Sequence, residues 1–127
     1  MRRGFVAIFL AGSLTACGAD APIPPSPGVA LVANATASGL PTIAEFGAAN
    51  CASCREMKIV LDGVARKTAG KANVLVIDIG KDYEAAQAFR IQLMPTQIFF
   101  DAQGREVGRH MGKLSEAEVI ARLGIGS

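Results

Sequence analysis

The chain has no tryptophan, one tyrosine, one histidine and only three cysteines in 127 residues. With Tyr83 its single tyrosine and with no run of basic residues, it has neither the stacking platforms nor the charge of a nucleic-acid surface. His110 and three cysteines leave little material for metal sites and too few bridges for a disulfide-stapled scaffold. Charged residues are scarce at 19%, while hydrophobic ones reach 50%, which excludes a disordered chain. The length suits one core and not two domains.

What is present begins with an apolar stretch, Phe5 to Leu14, behind Met1, Arg2 and Arg3. It is roughly half the ~20 residues needed to span a bilayer, so it reads as an export signal over residues 1–16. It ends in Leu14-Thr15-Ala16-Cys17, which resembles the lipobox of bacterial lipoproteins. That resemblance implies cleavage before Cys17, a lipid on Cys17, and a place in the bacterial cell envelope facing the periplasm or another extracytoplasmic space. The alternative is a plain secretory signal with a chance cysteine. Losing Arg2 and Arg3 with the signal would leave eleven basic residues against eleven acidic ones, so the net charge of +2 says nothing about partners.

Residues 17–28 then hold the lipidated cysteine and a Pro-rich segment without apolar periodicity, expected as an extended tether. At about 3.1 Å per residue it would reach on the order of 35 Å. The foldable domain is expected over 29–127. Val29 to Ser38 fits either a short helix or a strand. Thr42 to Gly47 predicts a strand, and Met57, Val60, Leu61, Val64 and Thr68 form the stripe of an amphipathic helix that opens near Cys51 and ends near Gly70. The aliphatic run Asn73 to Ile79 predicts a strand buried on both faces of a parallel sheet. Asp82 caps a helix through Ala85, Ala86 and Phe89. Gln97 to Phe100, the turn Asp101 to Gly104, and Arg105 to His110 predict a hairpin. Ser115 with Glu118 forms a capping box for the last helix, with Leu114 and Val119 as its staple. A β-α-β unit followed by a hairpin gives a sheet with parallel and antiparallel strands.

The chemistry lies at Cys51-Ala52-Ser53-Cys54. A cysteine at a helix start faces unpaired N–H groups and the positive end of the dipole, which lowers its thiol pKa. Three residues on, Cys54 shares its face. Cys51 is then the exposed nucleophile, and Cys54 resolves the mixed disulfide formed there. Three other readings stay open: a structural disulfide, which gains little over so short a loop; half a zinc site, for which no second pair exists; and two small core residues.

Thr42 to Gly126 resembles a thioredoxin domain. The resemblance rests on Glu45 to Cys54, on Met94-Pro95-Thr96 before a strand, and on Gly112 before the final helix. It implies the thioredoxin fold, an α/β architecture with a central mixed β-sheet flanked by helices. Phe99 to Gly104 is similar in particular to exported thioredoxin-like proteins and to the C-terminal domain of transmembrane disulfide reductases. The resemblance implies that Pro95 is the family's cis-proline, that Met94 presents backbone to an extended substrate, and that Thr96 lies beside the disulfide. Ordinary core packing is the alternative for Met94. Glu45 matches a buried acid that takes the Cys54 proton; a solvent-facing carboxylate is the alternative. The chain departs from the family at Asn50 and Gly47, where aromatics are usual, at Ala52-Ser53 between the cysteines, and at Val76, where a lysine usually pairs with the acid. His110 is expected to be solvated on the hairpin.

The function implied is a membrane-tethered thiol:disulfide oxidoreductase that reduces disulfides of exported proteins. It would draw electrons from a membrane thiol transporter, need no organic cofactor or metal, and act as a monomer. The alternative is a Cu(I)-handling module built on Cys51 and Cys54 with Met94 beside them, and Met57 and Met111 as further thioethers. A redox-silent partner-binding domain is a third class.

Overall fold

Two strands at the centre of the sheet are buried from end to end, β1 (Thr42–Gly47) and β3 (Thr96–Phe100), in a computed structural model that describes residues 22–125. β2 (Asn73–Asp78) runs parallel to β1, and β4 (Glu106–Met111) lies antiparallel to β3 in a hairpin. β1 and β3 are antiparallel, so the sheet is mixed, with order β2-β1-β3-β4. The remaining elements are α1 (Pro27–Thr36), α2 (Ala52–Lys67), α3 (Tyr83–Ala88) and α4 (Glu116–Leu123). The expected signal 1–16 and Cys17 lie outside the described residues.

Alternation along the central strands makes two cores. Ile43 and Phe99 turn toward α2 and α4, where Met57, Leu61, Val64, Val119 and Leu123 meet them. Ala44, Phe46, Ile98 and Phe100 turn the other way, against Val32 of α1 and Ala85 of α3. The Phe46 and Phe89 rings close that second core with centroids 4.9 Å apart. The α2 stripe is seated as its spacing predicts, with Met57, Leu61, Val64 and Thr68 buried. The Ser115–Glu118 capping box is formed in both directions.

Two expectations need correcting. The Asn73–Ile79 run is not sealed on both faces: β2 is an edge strand, and Val76 is 43% exposed. Only Ile77 of β2 is fully covered, because the helices on the far side reach it while α2 leaves Val76 open. The tether also ends earlier than residue 28. Pro27 opens α1, the helix position where its missing N–H costs nothing. Gly28 is buried, and its N–H donates to Asp82 Oδ2 at 2.6 Å. A Cβ on Gly28 would stand 2.8 Å from both Ile77 Cγ2 and that oxygen, so the close approach of α1 to β2 and α3 needs glycine there. Ser26 is buried as well.

Candidate functional site

The parallel crossover delivers the end of β1, Gly47, beneath the first turn of α2. Between them, Ala48 to Asn50 form a short turn closed by the Cys51 N–H on the Ala48 carbonyl at 3.1 Å. Arg55 Nη1 donates to the Ala49 carbonyl at 3.0 Å and ties the turn to the helix.

Cys51 is the N-cap of α2, and its sulfur accepts the Cys54 N–H at 3.3 Å. The Ser53 hydroxyl is 3.4 Å from the same sulfur. Cys51 and Cys54 are joined as a disulfide, with Cα atoms 5.2 Å apart. Cys51 is half-buried at the surface, while Cys54 is 6% exposed. In the reduced pair, the N–H and the helix dipole both favour negative charge on the Cys51 sulfur.

Gly47 makes room for the second cysteine. A Cβ there would lie 3.0 Å from both Cys54 Cβ and Cys54 Sγ, and 3.8 Å from Glu45 Oε1. The resolving sulfur and one oxygen of Glu45 therefore border the same small space. Glu45 is 1% exposed, which removes the solvent-facing alternative. Burial pushes its carboxyl up from 4.5 to about 7, against a hydrogen bond from Gln97 that pulls it down. Val76 is its direct neighbour on β2, so the position where the family usually holds a lysine is apolar. A cavity of about 210 Å³ opens here, lined by Glu45, Cys54, Arg55, Lys58, Val76 and Asp78 among others.

From the other side comes the loop before β3. The Met94–Pro95 bond is cis, Pro95 is fully buried, and the Pro95 carbonyl accepts the Gly112 N–H at 2.8 Å. Thr96 pairs with Phe46, so the same register carried one step further sets Pro95 opposite Gly47. The Thr96 hydroxyl donates to the Leu93 carbonyl at 2.7 Å and is thus spent on its own loop. Met94 is 44% exposed and is not a core residue. Glu45 and Cys54 thus converge on Gly47, Pro95 lies one residue beyond the Thr96–Phe46 pair, and Met94 is on the surface.

His110 lies on β4 opposite Gln97, half-buried, with Nε2 3.3 Å from the Lys113 carbonyl. Of the thioethers considered for Cu(I), Met57 is in the core and its sulfur accepts the Leu114 N–H at 3.4 Å. Among the described residues no group of three or more His, Cys, Asp or Glu side chains is arranged for a metal ion. None of the described helices is long and apolar enough to cross a membrane. Gln97 was not visible as a site residue. Its signal was a lone amide in an otherwise apolar or β-branched strand, Thr96 to Phe100.

The sequence profile of the Thioredoxin-like domain matches residues 30–124. Thioredoxin-1 of Drosophila melanogaster is 34% identical over 70 residues, covering 55% of this chain and 64% of the fly protein. The thiol:disulfide interchange protein DsbD of Ralstonia nicotianae is 36% identical over 92 residues, covering 68% of this chain but only 15% of that protein. Among solved structures, chloroplastic thioredoxin z superposes with a TM-score of 0.66 at 26% identity, covering 78% of this chain and 91% of the other.

Proposed function

The chain belongs to the thioredoxin-like domain family, and from that premise we propose that it is a thiol:disulfide oxidoreductase of the bacterial cell envelope, held to a membrane through Cys17 and reducing disulfides of exported proteins. One observation carries the chemistry: a disulfide at the N-cap of α2 whose first sulfur reaches the surface and whose second is buried beside an acid. The reduced Cys51 thiolate attacks a substrate disulfide and displaces one substrate sulfur as a thiol. Cys54 then attacks Cys51, releases the second substrate sulfur and regenerates the Cys51–Cys54 bond. Two electrons pass from the dithiol to the substrate. Glu45 accepts the Cys54 proton, a role suited to a carboxyl poised near neutrality.

Substrate strands lie along the Met94–Pro95 loop, where exposed Met94 supplies apolar contact. The reducing direction rests on the resemblance of Phe99 to Gly104 to the C-terminal domain of transmembrane disulfide reductases, and a membrane thiol transporter is the donor class that direction requires. The protein works as a monomer without an organic cofactor. The anchor rests on Leu14-Thr15-Ala16-Cys17.

Insulin reduction with dithiothreitol as donor tests the activity. Wild type should accelerate precipitation of the insulin B chain, and Cys51→Ser should match the uncatalysed rate; equal rates for the two proteins would sink the reading. Mass spectrometry of protein from native membranes tests the anchor, which requires an acylated N-terminal Cys17.

A further inference from the structure

We infer that Gln97 is the positioning residue for Glu45: it holds one carboxylate oxygen, leaves the other to exchange a proton with Cys54, and ties the acid to the loop of Pro95. The inference deepens the reading above and rests on Glu45 being the base.

Gln97 is 0% exposed in a strand whose other members are apolar or β-branched. Its Nε2 donates to Glu45 Oε2 at 3.1 Å and to the Gly112 carbonyl at 3.0 Å. Its Oε1 is buried with no partner among the described residues. A leucine would fill this place without stranding an acceptor, so the amide is kept at a cost. Both neighbours of Nε2 are acceptors, which fixes the orientation, because a rotated amide would set its oxygen against two other oxygens.

That orientation divides the carboxylate. The oxygen that accepts the Nε2–H is the less basic of the two, so an incoming proton favours Oε1. Oε1 is the oxygen that borders the space shared with Cys54 Sγ at Gly47. The resolving step then balances. The Cys54 thiol gives its proton to Oε1, and the Cys54 thiolate attacks Cys51. The bond from Cys51 to substrate sulfur breaks, and the substrate leaves as a thiolate that solvent protonates.

The other groups around Glu45 are Cys54, Arg55 and Lys58 on α2, Asp78 on β2, and His110 one strand beyond Gln97. Lys58 is engaged by Asp62, Arg55 by the Ala49 carbonyl, and His110 lies against the Lys113 carbonyl. Gln97 is thus the hydrogen-bond donor Glu45 has among the described residues. The Gly112 N–H continues the line to the Pro95 carbonyl.

The test uses Gln97→Leu, Glu45→Gln and their combination, with Gln97→Met in place of leucine should that variant not fold. Oxidised protein with labelled glutamate carboxyls gives the Glu45 titration by NMR. Reduced protein mixed with an aromatic disulfide gives the resolving step as the second release of coloured thiolate. Losing a hydrogen bond to the charged form should raise the Glu45 titration in Gln97→Leu by about one pH unit. The pH profile of the second release should move up equally, and the double variant should match Glu45→Gln alone. An unchanged profile in Glu45→Gln overturns the base reading itself. A changed profile there, with Gln97→Leu titrating and resolving like wild type, overturns only the role given to Gln97.

Discussion

Glu45→Gln should make the oxidised protein more stable at pH 8 while leaving it nearly unchanged at pH 5. Glu45 is buried at 1% exposure, and burial raises its carboxyl from 4.5 to about 7. The folded state therefore holds a proton that the unfolded chain releases between those values. Stability relative to the ionised form is fully present below about pH 4.5 and is lost as pH rises through about 7. A shift of about 2.5 units, at about 1.4 kcal/mol each, amounts to roughly 3 kcal/mol. The loss comes from desolvating the carboxylate, which the single Gln97 donor offsets only in part. Keeping the protein oxidised removes the two thiols from the titration. Glu56, Asp82, Asp101 and Glu118 are all held below their usual carboxylate values, so they titrate at lower pH. Urea unfolding of wild type and variant at half-unit steps from pH 5 to 8 measures the effect. Wild type should lose about 2.5 kcal/mol over that range relative to the variant. Parallel curves for the two proteins would show that Glu45 ionises without cost, and the argument from its burial would be wrong.

In the reduced protein at neutral pH, Cys51 should be alkylated faster than Cys54, because it is the more exposed and sits at the N-cap; peptide mapping with Cys54 modified first would reverse the assignment of roles. Gly47→Ala should slow the resolving step more than the first attack, since the new methyl would press on Cys54 at 3.0 Å while leaving Cys51 untouched; stopped-flow rates reduced equally in both steps would contradict this. Gly28→Ala should cost about 1–3 kcal/mol in urea unfolding by forcing α1 off Ile77 and Asp82, and no measurable cost would show that α1 docks loosely.

Local pattern carried much of this fold. The strand Thr42–Gly47, the α2 stripe and the Ser115–Glu118 box are set by neighbours within a few residues, so alternation, helical spacing and capping chemistry reveal them. The pair Cys51–Cys54 was legible for the same reason, since its meaning depends on the strand before it and the helix after it. What the sequence hid depends on distant residues. Asn73–Ile79 is aliphatic enough for a central strand, yet β2 has one partner, and only the order of strands decides that. Gly28 looked like part of a Pro-rich linker because the residues that bury it, Asp82 and Ile77, lie about 50 positions away. Gln97 looked like the polar member of a hairpin strand until its partners, Glu45 and Gly112, came from two other segments.

The two margins of the sheet give the protein a lopsided colloidal character. At the β4 margin, Glu106 and Arg109 are paired with each other, and the register shifts at Phe99/Phe100, features that discourage a second chain from adding there. Among the described residues the β2 margin has no such guards: Val74, Leu75, Val76 and Ile77 run between Asn73 and Asp78 with neither proline nor charge among them. Self-association at high concentration would therefore proceed through strand addition on β2. Its remedy is one charge at Val76, the exposed side chain of that strand, rather than any change in the net charge of the molecule.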